Sequence, residues 1–170
     1  MTCWAALVPA WGSLAKSGAL NEHTAAGYAA FLARRYKDAP NIVWLVGGDA
    51  KGHEHLETWK TMGRALRGGD AAHLITYHPC GWRSSAQFFH GEDWLDFDMI
   101  ETWTEWSKIY PAVMSDALRT PRKPVVLGEG AYENGPEYPQ GPITPLVVRR
   151  QAWWTFMAGG FHTSGQNQMW

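Results

Sequence analysis

Residues 41–46 (NIVWLV) constrain the fold more than any other stretch: from Ile42 to Val46 every position is apolar, and Gly47-Gly48-Asp49 closes the run. A strand that is apolar on both faces has no side to give to water. It belongs in a parallel sheet covered by helices. Comparable runs occur at 3–9 (CWAALVP), 73–77 (HLITY), 97–103 (FDMIETW), 124–127 (PVVL) and 161–163. Helical patterns separate them. Residues 21–36 carry Tyr28, Phe31, Leu32 and Tyr36 near helical spacing, behind Leu20 and with Asn21 as N-cap. Residues 55–66 read as a helix stopped by Gly68-Gly69, 110–118 as a short helix, and 145–158 as a helix opened by Thr144 or Pro145. Strands alternating with helices predict an α/β fold with a parallel sheet.

With 170 residues and no internal repeat or linker, the chain reads as one domain, 1–170. A complete barrel of eight β/α units takes about 250 residues. The runs above give six strands, so the expectation is either a smaller α/β fold or a barrel lacking some of its units. The apolar fraction of 45% supports a real core. The balance of 15 basic against 16 acidic side chains argues against a nucleic-acid or anionic-membrane partner. No apolar run approaches the roughly 18 residues of a spanning helix. Cys3 and Cys80 define no disulfide framework. The apolar N-terminus lacks a basic leader and reads as a strand, with no signal peptide in this chain. Eleven tryptophans serve either a core or a groove in which indole faces stack on sugar rings.

The candidate chemistry sits just after the strands, at the end of a barrel where active sites are built. Alternation puts Val43, Leu45, Gly47 and Asp49 on one face of their strand, and Val125, Leu127 and Glu129 on one face of a later one. Two carboxylates at the same end of two strands are what glycoside hydrolysis needs. Carboxylates after strands also cap the helices that follow, and spacing alone does not choose between the two. Glu101 could be a third carboxylate of the site. Glu133 and Glu137 lie farther along a loop and suit loop structure or substrate contact. His78 and His162, at strand ends, are well placed to meet a substrate. His53 and His55 form an H-x-H pair without a convincing third ligand, and Asp96 to Asp98 lack the rest of a calcium loop, so no metal site is expected. No nucleophilic-serine elbow, P-loop or dinucleotide fingerprint is present, and no cofactor is expected.

Seven stretches lie in the order of one family: VPAWG (8–12), ARRYKDAPNIVWLVGGD (33–49), ITYHPCGWRSS (75–85), WLDFDMIETW (94–103), KPVVLGEGAYE (123–133), VRRQAWWTFMAGG (148–160) and FHTSGQNQMW (161–170). Together they resemble the apiosidase-like catalytic domain family of bacterial glycoside hydrolases, within the retaining barrel superfamily with its acid/base on strand four and nucleophile on strand seven. The resemblance implies a (β/α)8 TIM barrel in truncated form, with strands three to eight present and the first two β/α units and last helix missing. It implies Asp49 as acid/base and Glu129 as nucleophile. It puts His78, Tyr132, Glu133, His162 and Trp170 along the substrate pocket, and the strand-end residues Trp11, Glu101 and Trp103 are counted with them. The implied activity is retaining hydrolysis of a plant cell-wall glycan, pectic and including apiose-containing ones. The alternatives are a non-catalytic carbohydrate-binding fragment or an inert one. The partner is an oligosaccharide or polysaccharide, and the implied location is secreted or periplasmic. Three departures stand out. Gly130 replaces a more usual proline, Glu101 to Thr104 replace a Gln-Ser-Gly-His-like run, and Ser164 replaces an aromatic.

Overall fold

The computed structural model describes residues 3–103, 105–135 and 141–169. Parallel strands run in chain order: β1 (Ala5–Leu7), β2 (Ile42–Ala50), β3 (Leu74–Pro79), then β5 (Asp98–Glu101), β6 (Val125–Glu129) and β7 (Phe161–His162). A two-residue strand, β4 (Arg83–Ser84), pairs antiparallel with β5. Ladders join β1-β2-β3 and β4-β5-β6-β7 as two sheets. Side chains and single backbone bonds bridge the seam between β3 and β5. Asp96 N–H donates to Ile75 O at 2.9 Å, Ile75 N–H donates to Asp96 Oδ2 at 2.7 Å, and Thr76 Oγ1 donates to Phe97 O at 2.6 Å. The Arg67 guanidinium holds the same Asp96 carboxylate. The expected α/β sheet of parallel strands is therefore present, as an arc. No closed barrel forms among the described residues.

Helices cover one face of the arc: α2 (Glu22–Tyr36) and α3 (Leu56–Gly69) over β2 and β3, then α5 (Ile109–Ala117) and α6 (Pro145–Met157) over β5 and β6. Asn21 caps α2 as expected, accepting from the backbone N–H groups of His23 and Thr24 while Thr24 accepts from Asn21 N–H. The buried face of α2 differs from expectation. Tyr28, Phe31 and Tyr36 are exposed, while Ala25, Ala29 and Ala33 are fully buried. An alanine stripe at i, i+4 lets α2 approach α3 closely, and the aromatics fall on its flanks. Gly68 and Gly69 close the last turn of α3 rather than following it, and Asp70 is the C-cap. Asp70 is almost wholly buried and accepts from Trp44 Nε1 at 2.9 Å and from the backbone N–H groups of Ala72 and His73, so it ties β2 to the loop before β3.

Two short helices escaped the sequence pattern, α1 (Gly12–Lys16) and α4 (Ala86–Phe89), as did β4. At five, four and two residues they are too short for periodicity to register. Among the described residues no helix is long and apolar enough to cross a membrane.

Candidate active site

Four side chains from four strands meet at the C-terminal end of the sheet: Asp49 (β2), His78 (β3), Glu101 (β5) and Glu129 (β6). One oxygen or nitrogen from each lies within 4.8 Å of the others. His78 and Glu101 are buried, Glu129 is partly buried and Asp49 is the exposed member.

Departures from regular strand structure bring both outer carboxylates there. In β2, Gly47 pairs with His78 and Ala50 with Pro79, so Gly48 and Asp49 are extruded between them. All three residues 47–49 have positive φ, 85°, 138° and 46°. That explains the two glycines: Asp49 alone bears the cost of a side chain in the left-handed region. Gly48 has a second constraint, because a Cβ there would stand 2.9 Å from Trp11 Cδ2 and closer to other atoms of the indole. The inserted pair leaves strand parity unchanged, so Asp49 keeps the inward face that alternation predicted.

In β6 the prediction fails. Val125 and Leu127 do not share a face with Glu129; they pack with Ile109 and Val113 of α5 in the helix-side core. Leu127 pairs with Ile100 but Glu129 pairs with Glu101, so Gly128 is one residue extra and the bulge turns Glu129 to the inner face. Thr163, just past β7, anchors the bulge by donating from Oγ1 to Gly128 O at 2.7 Å. A sequence reading could not see this switch; the only hint was glycine directly before each carboxylate.

His78 reads out the charge state of the cluster. Its Nδ1 stands 2.8 Å from Pro79 O and its Nε2 stands 3.0 Å from Glu129 Oε2. Both facing atoms are acceptors when Glu129 is ionised, so both ring nitrogens must carry protons. With Glu129 ionised, His78 is an imidazolium paired with it. Burial works against that charge, and the bonds to Glu129 and Pro79 outweigh it and raise the pKa. Glu129 likewise resists desolvation: His78 and the Tyr132 hydroxyl, which donates to Oε1 at 2.6 Å, hold it below the ordinary carboxylate range. Asp49 moves the other way. Desolvation and then the charge of Glu129 raise its pKa, against smaller opposing effects of His78 and a hydrogen bond from Glu101. Glu101 is pushed up to about 9 by burial first, and then by the charges of Glu129 and Asp49. Its Oε2 is buried without a hydrogen-bond partner. Two carboxylate charges within 4.8 Å of each other repel by about 3.5 kcal/mol or more at an effective dielectric of about 20, so neutralising one member is the less costly state.

These four groups are also of the type that could hold a metal ion. As set here, both nitrogens of the His78 ring face acceptors, Pro79 O and Glu129 Oε2.

The other expected residues fall around this centre. Trp11 is partly exposed and its ring lies 5.6 Å from that of His78, tilted by 55°. Trp103, after β5, is 37% exposed at a φ of 45°, so its indole stands in reach of solvent at the rim. Tyr132 touches Glu129 directly. Glu133 is held by its backbone, which bridges to Gln166, and His162 sits half-buried on β7 opposite Leu127. Neither belongs to the four-residue cluster. Glu137 and Trp170 lie outside the described residues. His53 lies tilted beside Phe88 and His55 precedes α3, both exposed. Asp96 and Asp98 are structural: the first binds Arg67, and the second is fully buried against His90 Nδ1 at 2.8 Å. Gly130 packs against Gln151, whose amide bonds both backbone groups of Ala131. A cavity of about 380 Å³ bounded by Trp82, Arg83, Asp116 and Arg119 reaches the cluster only through Glu101.

Solved structures share this fold. A glycoside hydrolase family 5 protein from Bacteroides vulgatus ATCC 8482 superposes with a TM-score of 0.89 at 34% identity, over 96% of this chain and 39% of its own. A second structure, described as a glycoside hydrolase, gives a TM-score of 0.88 at 32% identity, over 96% of this chain and 42% of its own. The chain thus spans about two fifths of the length of these structures. No curated protein matches it. The model of the apiosidase-like catalytic domain matches residues 2–170, and the chain belongs to that family.

Proposed function

We propose that this chain carries the catalytic face of a retaining glycoside hydrolase, with Glu129 as nucleophile and Asp49 as acid/base. The observation that carries the reading is the pair itself: two carboxylates within 4.8 Å, with opposite pKa shifts. Retaining enzymes bring their carboxyl groups to about 5–5.5 Å, and inverting ones leave about 6.5–9.5 Å for a water. His78 and Tyr132 keep Glu129 charged for attack at the anomeric carbon. Asp49, whose proton is held more tightly, protonates the leaving oxygen and then deprotonates the incoming water. Trp11 and Trp103 offer indole surface to the sugar rings. The substrate class is a plant cell-wall glycan, pectic and including apiose-containing ones, and a polymeric substrate goes with a secreted or periplasmic location.

The arc of strands corresponds, in this proposal, to units three to eight of a (β/α)8 barrel. Large apolar side chains stand exposed on and beside the outermost elements, among them Trp153, Phe156 and Met157 of α6 and Phe161 of β7. That surface favours a second reading, a fragment that binds sugar without turnover or that is inert. Incubation with a 2-deoxy-2-fluoro glycoside followed by peptide mass spectrometry distinguishes these readings. A glycosyl adduct on Glu129 is expected, absent in Glu129→Gln. Asp49→Asn should lower kcat on natural glycans by about 10²–10⁴-fold. An inverted product anomer, or full activity in Asp49→Asn, would refute the mechanism. Glycan binding without turnover would favour the second reading.

A further inference from the structure

The cluster holds three carboxyl groups, and the proposed mechanism uses two. Glu101 is the third and the most buried, 4% exposed, with Oε2 lacking a hydrogen-bond partner. The groups that face it are Asp49 from β2, His78 from β3 with Nδ1 at 3.8 Å, Glu129 from β6, and the Cys80 thiol. Among the described residues His78 is the only cation in the cluster, and its charge is already committed to Glu129 at 3.0 Å. Nothing then balances two further carboxylates.

We propose that Glu101 is a positioning residue for Asp49: the two carboxyl groups share a single proton, with Glu101 entering the site as the neutral acid that hydrogen-bonds to Asp49. This rests on Asp49 acting as the acid/base. Charge is conserved through both chemical steps. In the resting cluster His78 is +1, Glu129 is −1 and the pair is −1, a total of −1. In the first step the pair gives its proton to the leaving oxygen and becomes −2, while Glu129 loses its charge in forming the glycosyl ester. The total is again −1, and the freed imidazolium now faces the doubly charged pair. In the second step water gives a proton back to the pair, its oxygen bonds to the anomeric carbon, and Glu129 regains its charge. The steps balance, and what Glu101 adds is the hydrogen bond that holds the Asp49 carboxyl while one proton serves both groups.

The test uses the full chain with Glu101→Gln and Glu101→Leu. Infrared difference spectra at neutral pH, wild type minus Glu101→Gln, should contain the C=O band of a protonated carboxylic acid. Absence of that band overturns the proposal whether or not the chain hydrolyses any glycan, so it can fail or stand apart from the glycosidase reading. In turnover assays, Glu101→Gln keeps the hydrogen bond but cannot share the proton. Its plateau kcat should fall less than that of Glu101→Leu, while the basic limb of the pH profile moves down by about one unit or more. Glu101→Leu should lose about 10–100-fold in kcat, the loss expected for a hydrogen bond to a charged group. Equal losses in both variants with an unmoved limb would mean a merely structural role and overturn the proposal. Should Glu101→Leu fail to fold, the infrared band and the Glu101→Gln profile still decide it.

Discussion

Replacing Tyr132 by Phe removes one hydroxyl and leaves the ring against Gly165 in place. That hydroxyl donates to Glu129 Oε1 at 2.6 Å, and the Glu129 side chain is only 16% exposed, so solvent screens the bond weakly. A hydrogen bond to a charged group is worth about 1.5–3 kcal/mol. At about 1.4 kcal/mol per unit, the pKa of Glu129 should rise by roughly 1–2 units. The folded pKa of Glu129 lies below its unfolded value, so its charge stabilises the fold above the unfolded value. That contribution is lost as pH falls through the folded pKa. Urea denaturation at pH 7 should therefore find Tyr132→Phe less stable by about 1.5–3 kcal/mol. The difference should shrink towards zero in acid, where Glu129 is protonated in both proteins. Where the chain turns over, the acid limb of kcat/KM should move up by the same number of units. A destabilisation that is independent of pH, or an acid limb that stays put, would refute the assignment of Glu129 as a charge held by Tyr132.

Further outcomes follow from the same geometry. Gly48→Ala puts a methyl group into the Trp11 ring at a φ of 138°; a loss of about 1–3 kcal/mol and a changed tryptophan emission spectrum are expected, and an unchanged stability would mean that the bulge is slack. Asp70→Ala strands Trp44 Nε1 and the N–H groups of Ala72 and His73. It should cost about 3 kcal/mol or more by urea denaturation. Burial opposes the Asp70 charge, but the bonds from Trp44 and His73 prevail and lower its pKa. Its stabilisation is therefore present above the ordinary Asp pKa and is lost as pH falls through the folded value. A cost that did not fall in acid would count against this account.

What the sequence determined by itself was the α/β architecture and the candidate carboxylates at the strand ends. Ile42 to Val46 are apolar without a break because β2 lies between β1 and β3, with Ile42, Trp44 and Val46 in the helix-side core and Leu45 buried on the other face. The Asn21 cap was readable because capping is a contact between near neighbours. Asp49, His78 and Glu129 were recognisable as strand-end polar groups, and the ordered motifs named their family. The tertiary structure decided how those groups meet. Alternation put Glu129 on the face of Leu127, and the extra residue at Gly128, visible only against β5, turned it inward. Helical spacing offered the aromatics of α2 as its buried face, and the close approach of α3 selected the alanines. Glu101 read as one of several acidic residues near a strand end. Its place as a buried third carboxyl follows from β2, β3 and β6 arriving at the same point, and Coulomb energies at a few ångströms depend on distances between chain segments that no local pattern encodes.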